Sequence, residues 1–165
     1  DEDLIISYGD IIYETSVLNK LISEESDISI VADLDWEKLW RLRMENPLND
    51  AETFKYNSNY DVVEIGNKAK SLSEINAQYI GLIKIKKSFF KVFERIYEDI
   101  NLEKNIDANN IYMTSFIEYL IAKGIPVKAC LINGGWIEID SISDLEIYND
   151  LYIKNNLLDY VDFLK

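Results

Sequence analysis

Residues 134–145 read Gly-Gly-Trp-Ile-Glu-Ile-Asp-Ser-Ile-Ser-Asp-Leu. The glycine pair marks a tight turn, residues 136–139 form a short strand, and Asp140 sits where that strand ends. Ser141-Ile142-Ser143-Asp144 then opens a helix as a capping box, with Asp at the position more often held by Glu or Gln. Its counterpart near the start of the chain is Leu4-Ile5-Ile6-Ser7-Tyr8-Gly9-Asp10-Ile11, again an apolar strand that delivers an aspartate into a turn. In open α/β sheets ligands collect outside the carboxyl ends of strands, which gives both aspartates a functional address. Magnesium usually takes one or two protein carboxylates and leaves its other positions to phosphate and water, so Asp10 and Asp140 together can hold one divalent ion. Each also has a plain reading, as a turn former or a residue flanking a helix.

Strands and helices alternate between these two ends, the pattern of an α/β domain. Residues 15–23 carry Val17, Leu18, Leu21 and Ile22 on one helical stripe, and residues 28–34 form a strand rich in β-branched side chains. Asp35 is placed to cap a helix through Trp36, Leu39, Trp40 and Leu42 that ends before Pro47. Residues 51–56 and 61–65 flank Asn57-Ser58-Asn59 as a hairpin. Residues 78–85 are a strand broken by Gly81, and Ser88 leads a helix whose Phe89, Phe93, Ile96 and Ile100 recur at helical spacing. A helix at 113–123 is closed by Gly124, with Pro126 soon after, before a strand at 127–132. The polar stretch 101–110 is expected to be a mobile loop, and Leu157, Leu158, Val161 and Leu164 allow a docking helix in the tail. Neither repeat nor linker interrupts the pattern, and residues 1–165 read as a single domain.

Composition narrows the chemistry. At 165 residues and 48% hydrophobic, the chain can build a proper core. A net charge of −13 with no basic cluster argues against nucleic-acid binding. The absence of histidine removes Ser-His and Cys-His nucleophiles and any imidazole zinc site. The single cysteine, Cys130, excludes an internal disulfide, and its apolar neighbours predict a buried thiol. No apolar run approaches the roughly 20 residues of a membrane span and no secretory leader is read, so cytoplasm is the expected location.

Four further groups carry alternatives. Glu138 and Asp140 share one strand face with Trp136, whose ring either seats a cation or packs half-buried. Trp36 and Trp40 are expected to face the core. In the charge-dense stretch 40–52, an arginine such as Arg43 either grips a phosphate in bidentate fashion or joins a surface ion-pair set. Lys84, Lys86 and Lys87 read as a solvated strand end.

Together these segments resemble the phosphocholine and phosphonate cytidylyltransferase-like nucleotidyltransferases. The resemblance runs in order through Ser7-Tyr8-Gly9-Asp10-Ile11, then Asp33-Leu34-Asp35-Trp36 with Arg43, Pro47 and Asp50-Ala51-Glu52-Thr53. Gln78-Tyr79-Ile80-Gly81-Leu82, Met113-Thr114 and Gly135-Trp136-Ile137-Glu138-Ile139-Asp140 complete it. It implies a three-layer α/β/α nucleotide-diphosphosugar-transferase-like fold. It also implies transfer of CMP from CTP to a phosphate or phosphonate acceptor, such as phosphocholine or aminoethylphosphonate, with release of pyrophosphate. Asp10 and Asp140 match the family's two magnesium-binding aspartates. Tyr8, Arg43, Gln78, Tyr79, Trp136 and Glu138 fall in the stretches that would meet substrate. Such transfer needs positioning and charge neutralisation rather than a covalent nucleophile, in keeping with a chain that has no histidine.

The sequence departs from the family in one large respect. The glycine-rich, arginine-containing phosphate loop and the Pro-Lys pair that follows it are missing, and Ala77 stands where Gly is usual before Gln-Tyr. The expectation is therefore an N-terminally incomplete fold, inactive by itself and prone to self-association along an exposed sheet edge. Two other readings stay open. One is a sugar-1-phosphate nucleotidyltransferase, and the other is a non-catalytic binding or scaffold domain.

Overall fold

A strand apolar in both registers must be covered on both faces, and β3 (Ile28–Asp33) is buried along its whole length. The computed structural model, which describes residues 2–104 and 111–164, places β3 inside a four-stranded sheet in the order β1-β6-β3-β7. Here β1 is Leu4–Ser7, β6 is Gln78–Ile85 and β7 is Lys128–Ile132. β6 runs antiparallel to β1 and β3, whereas β7 runs parallel to β3. The carboxyl ends of β1, β3 and β7 therefore lie along one edge of the sheet.

Alternation divides the core in two. Ile28, Ile30 and Ala32 of β3 enter one apolar cluster, and Val31 enters the other. The Val31 side is covered by α1 (Thr15–Ile22), α2 (Trp36–Arg43) and α5 (Ile142–Ile153), through Leu21, Trp36, Trp40 and Tyr148. The opposite side is covered by α3 (Phe90–Lys104) and α4 (Met113–Ala122), joined by a hairpin of β4 (Glu52–Tyr56) and β5 (Val62–Lys68). This is the expected three-layer α/β/α architecture. The hairpin turns at Asn57, whose side-chain oxygen accepts from the main-chain N–H groups of Asn59 and Asp61.

Gly81 does not break β6. It bulges the strand at φ +84, where the register against β3 shifts, and the Tyr8 ring lies where a side chain would be. A Cβ built on Gly81 would stand 2.5 Å from Tyr8 Cγ. Ser141 and Asp144 form the reciprocal capping box at the start of α5, as their spacing predicts.

Several local expectations are corrected. A short strand, β2 (Ile11–Tyr13), follows Asp10 and pairs antiparallel with β8 (Trp136–Glu138) as a separate two-stranded ribbon. Asp35 makes no side-chain cap; instead Asp33 accepts its main-chain N–H at 2.9 Å. Ser88 lies inside a short 3-10 turn, Lys87–Phe89, that leads into α3. The expected loop at 101–110 is helical through Lys104, and residues 105–110 lie outside the described residues.

Lys84 is not solvated. It is buried, and its ammonium donates to the carbonyls of Ile22 and Glu24 and pairs with Asp3 at 3.1 Å. The tail forms only a 3-10 turn at Leu157–Asp159; Leu157 and Val161 dock, while Leu158 and Leu164 face solvent. Trp36, Trp40 and Cys130 are buried as expected, and burial pushes the Cys130 thiol up to about 11. Among the described residues no helix is long and apolar enough to cross a membrane.

Candidate functional site

The β2–β8 ribbon brings the two ends of the chain together. Ile11 pairs with Glu138, and one step further the Ile139 N–H donates to the Asp10 carbonyl at 2.9 Å. Asp10 thus stands opposite Ile139, and the ribbon brings Asp10 and Asp140 to the same end, where both are exposed. Two solvent-facing carboxylates suit a hydrated magnesium ion that takes its remaining ligands from water and phosphate. Among the described residues no group of three or more His, Cys, Asp or Glu side chains is arranged to hold a metal.

Arg43, the last residue of α2, points inward under this ribbon with its side chain only 3% exposed. Its guanidinium donates to Glu138 at 2.5 Å, to Asp144 at 3.0 Å and to Asp140. It also lies over the Trp40 ring at 5.8 Å. Asp144 is itself fixed, because it accepts from the Ser141 hydroxyl and from the main-chain N–H groups of Asp140 and Ser141. Burial works against the Asp144 charge, but Arg43 and Ser141 outweigh it and hold the carboxyl below its ordinary value. Glu138 goes the other way: burial and the charges of Asp140 and Asp10 outweigh Arg43 and push it up to about 7. The capping box therefore does more than end a helix. It anchors one carboxylate of a set in which Arg43 also fixes the orientation of Asp140.

Beside the ribbon, Tyr8 meets Tyr79 edge-on with ring centroids 5.9 Å apart. The Tyr79 hydroxyl is buried beside Tyr8 and, among the described residues, has no partner at hydrogen-bond geometry. Burial, with the charges of Glu52, Asp10 and Glu138 nearby, raises the Tyr8 hydroxyl. Glu52 is half-buried, and its carboxyl is raised by burial and by Asp50. Gln78 is buried, and its amide donates to the Glu52 carbonyl, which ties the start of β6 to β4.

Trp136 is 1% exposed, so its face is not offered to a ligand. It packs near Trp40 at 6.1 Å, and its indole N–H donates to Asp33 at 2.9 Å. Asp33 also accepts from the main-chain N–H groups of Gly134 at 2.8 Å and Asp35 at 2.9 Å, and burial raises its carboxyl despite these donors. One aspartate thus ties the glycine turn to the end of β3. Sequence reading placed Asp33 and Glu52 only within longer matching stretches. The available signal for Asp33 was a carboxylate closing an otherwise apolar strand. Arg43, Glu138, Asp140, Asp10, Tyr8 and Tyr79 gather around one end of the ribbon, whereas Trp136 and Gln78 serve as buried supports.

No family model matches the chain. It is 46% identical over 149 residues to the CTP:phosphoglutamine cytidylyltransferase of Campylobacter jejuni, a match covering 88% of this chain and 58% of that protein. The chain thus spans little more than half the length of that relative. Among solved structures it is similar to the inositol-1-phosphate CTP transferase from T. maritima, with TM-score 0.65 and 19% identity, over 98% of this chain and 58% of the other. A Bacillus anthracis structure described as a glucose-1-phosphate thymidylyltransferase matches with TM-score 0.59 and 11% identity, over 98% of this chain and 56% of the other. These likenesses establish the nucleotide-diphosphosugar-transferase fold, and the chain is cytidylyltransferase-like in sequence along most of its length.

Proposed function

We propose that this chain belongs to a magnesium-dependent cytidylyltransferase that moves CMP from CTP to a small phosphorylated acceptor. The observation that carries this reading is the juxtaposition of Asp10 and Asp140 by the β2–β8 ribbon, with Arg43 holding the latter. In the reaction an anionic acceptor oxygen forms a bond to the α-phosphorus of CTP while the bond from that phosphorus to the pyrophosphate oxygen breaks. Pyrophosphate leaves with the electron pair, so neither a histidine base nor a covalent enzyme intermediate is needed. Asp10 and Asp140 would hold the magnesium ion, which when bound neutralises charge on the phosphates. Arg43 fixes the Asp140 carboxylate, and Tyr8, packed on the buried Tyr79 ring, stands near Asp10, Glu138 and Glu52.

For the acceptor, the 46%-identical relative supports a phosphorylated amino-acid amide of the phosphoglutamine kind ahead of phosphocholine or aminoethylphosphonate. A polyol or sugar phosphate is the second reading, supported by likeness to the inositol-1-phosphate CTP transferase. Manganese, as a paramagnetic stand-in for magnesium, tests the metal site in the chain itself. Amide signals around Asp10 and Asp140 should broaden, and Asp10→Asn or Asp140→Asn should abolish the effect; unchanged broadening in Asp140→Asn refutes the assignment. In a protein extended to the relative's length, pyrophosphate release with each acceptor should follow the order above. The same substitutions should lower kcat by about 10²-fold or more. The 165-residue chain, which contains no glycine-rich phosphate loop, is expected to release none above background.

A further inference from the structure

Away from Asp10 and Asp140, at the other end of the β2–β8 ribbon, lies a cavity of about 410 Å³. We propose that it binds a small zwitterion with the size and charge pattern of a free amino acid, at a site separate from the aspartate pair. The inference does not depend on the cytidylyltransferase reading.

The position is one where ligands collect in α/β proteins, outside the carboxyl ends of the parallel strands β3 and β7. At roughly 30 Å³ per water, its volume matches about fourteen waters, enough for a molecule of about a dozen heavy atoms. The floor is rigid. Asp33 and the indole of Trp136 are buried there and bonded to each other, and Gly134 donates to the same carboxylate.

Two ammonium groups border the cavity, and both are held in place. Lys20 donates to the Leu131 carbonyl, while Lys38 donates to the Asp159 carbonyl at 2.7 Å and lies over the Tyr160 ring at 4.4 Å. An ammonium has three N–H donors, so each lysine keeps two for a ligand, and tethering lowers the entropy lost when an anion binds.

The acidic groups fall into two kinds. Asp33 already accepts from three N–H donors, and Glu14 accepts from Ser16 and from the Asp162 main chain. The exposed carboxylates of Asp35 and Asp159 make no hydrogen bond or ion pair among the described residues. With four carboxylates and two ammonium groups along the wall, a dianion would meet net repulsion. A simple cation would leave the tethered lysines unanswered. A molecule carrying one carboxylate and one ammonium satisfies both, the carboxylate on Lys20 and Lys38 and the ammonium on Asp35 and Asp159.

The test uses the isotope-labelled chain and the indole N–H signal of Trp136, which reports on the cavity floor. L-Glutamine and L-alanine are titrated to about 10 mM beside succinate and ethanolamine, which carry one sign of charge each. The expected result is a saturable shift with a Kd of about 1 mM for an amino acid, and about tenfold weaker binding of both single-sign compounds. Lys38→Met and Asp35→Asn should each weaken amino-acid binding about tenfold, with the Trp36 and Trp40 indole signals unmoved as proof of an intact fold. No shift with either amino acid, equal binding of succinate, or unaltered affinity in both variants overturns the proposal.

Discussion

Replacing Arg43 with methionine removes the cation on which three carboxylates converge. The side chain is 3% exposed, and its partners Asp144 and Glu138 are 6% and 19% exposed; the Asp144 charge would be left with little water to compensate it, while Glu138, raised to about 7 even beside Arg43, would take up a proton. Asp140 is 47% exposed and is readily hydrated, so its lost pairing adds little. Removing one partner from a buried ion pair costs about 3–5 kcal/mol. For a domain of this size each kcal/mol lowers Tm by about 2–4 °C, giving an expected fall of about 6–20 °C by circular dichroism or calorimetry. Arg43→Lys should fall between, because a point-charge ammonium cannot reach three carboxylates with a planar fork. Adding Asp144→Asn to Arg43→Met should recover about 0.5–3 kcal/mol, since it removes the stranded charge while an amide oxygen can still accept from Ser141 and Asp140. An Arg43→Met protein that melts within about 2 °C of the parent refutes the reasoning, as it would mean the guanidinium contributes no net pairing.

Other consequences are open to simpler tests. Gly81→Ala should destabilise by about 2–5 kcal/mol, from left-handed backbone strain and overlap with the Tyr8 ring, and Tyr8→Ala in the same protein should relieve the overlap part. Asp33→Asn replaces one acceptor oxygen by a donor, which strands either the indole of Trp136 or the main-chain donors of Gly134 and Asp35, at about 1–3 kcal/mol by denaturant melts. Because burial raises the Asp33 carboxyl, its folded form binds the proton over pH values where the unfolded form has lost it. Its contribution to stability is therefore full below the unfolded pKa and lost as pH rises through the folded one. Asp33→Asn should remove that part of the pH slope, and an unchanged slope counts against it. Cys130, buried with its thiol pushed up to about 11, should resist iodoacetamide at pH 8 until the protein is unfolded, and rapid labelling of native protein contradicts this. Finally, β1 pairs only with β6 among the described strands, so self-association that grows with concentration is expected in sedimentation; a strict monomer argues against an adhesive edge.

Much of the candidate site's local structure was legible because its signals are local. A strand that ends in a carboxylate can be read from a few consecutive residues, as at Asp10 and Asp140, and the same holds for the Ser141–Asp144 box. Periodicity likewise placed Trp36 and Trp40 in the core, since α2 has only one apolar face. Where reading failed, the deciding contact lay far along the chain. Ile11–Tyr13 has too few residues to show a period, and it is a strand only because residues 136–138 supply its hydrogen bonds. The stem of Lys84 looks like any exposed lysine until the carbonyls at the end of α1 are brought to it. For Trp136 the sequence leaves cation binding and packing both open, and the choice falls to packing because Asp33, from another strand, accepts its indole N–H in the core.

The sequence by itself determined the chemistry open to this protein and the addresses of its two aspartates, because composition and strand-end patterns are properties of short segments. Only the tertiary structure decided what those residues face. The choice for Arg43 between a phosphate and three neighbouring carboxylates depends on which groups lie within hydrogen-bond reach in a buried, weakly screened space. That reach is set by α2 packing beneath a ribbon whose strands come from opposite ends of the chain.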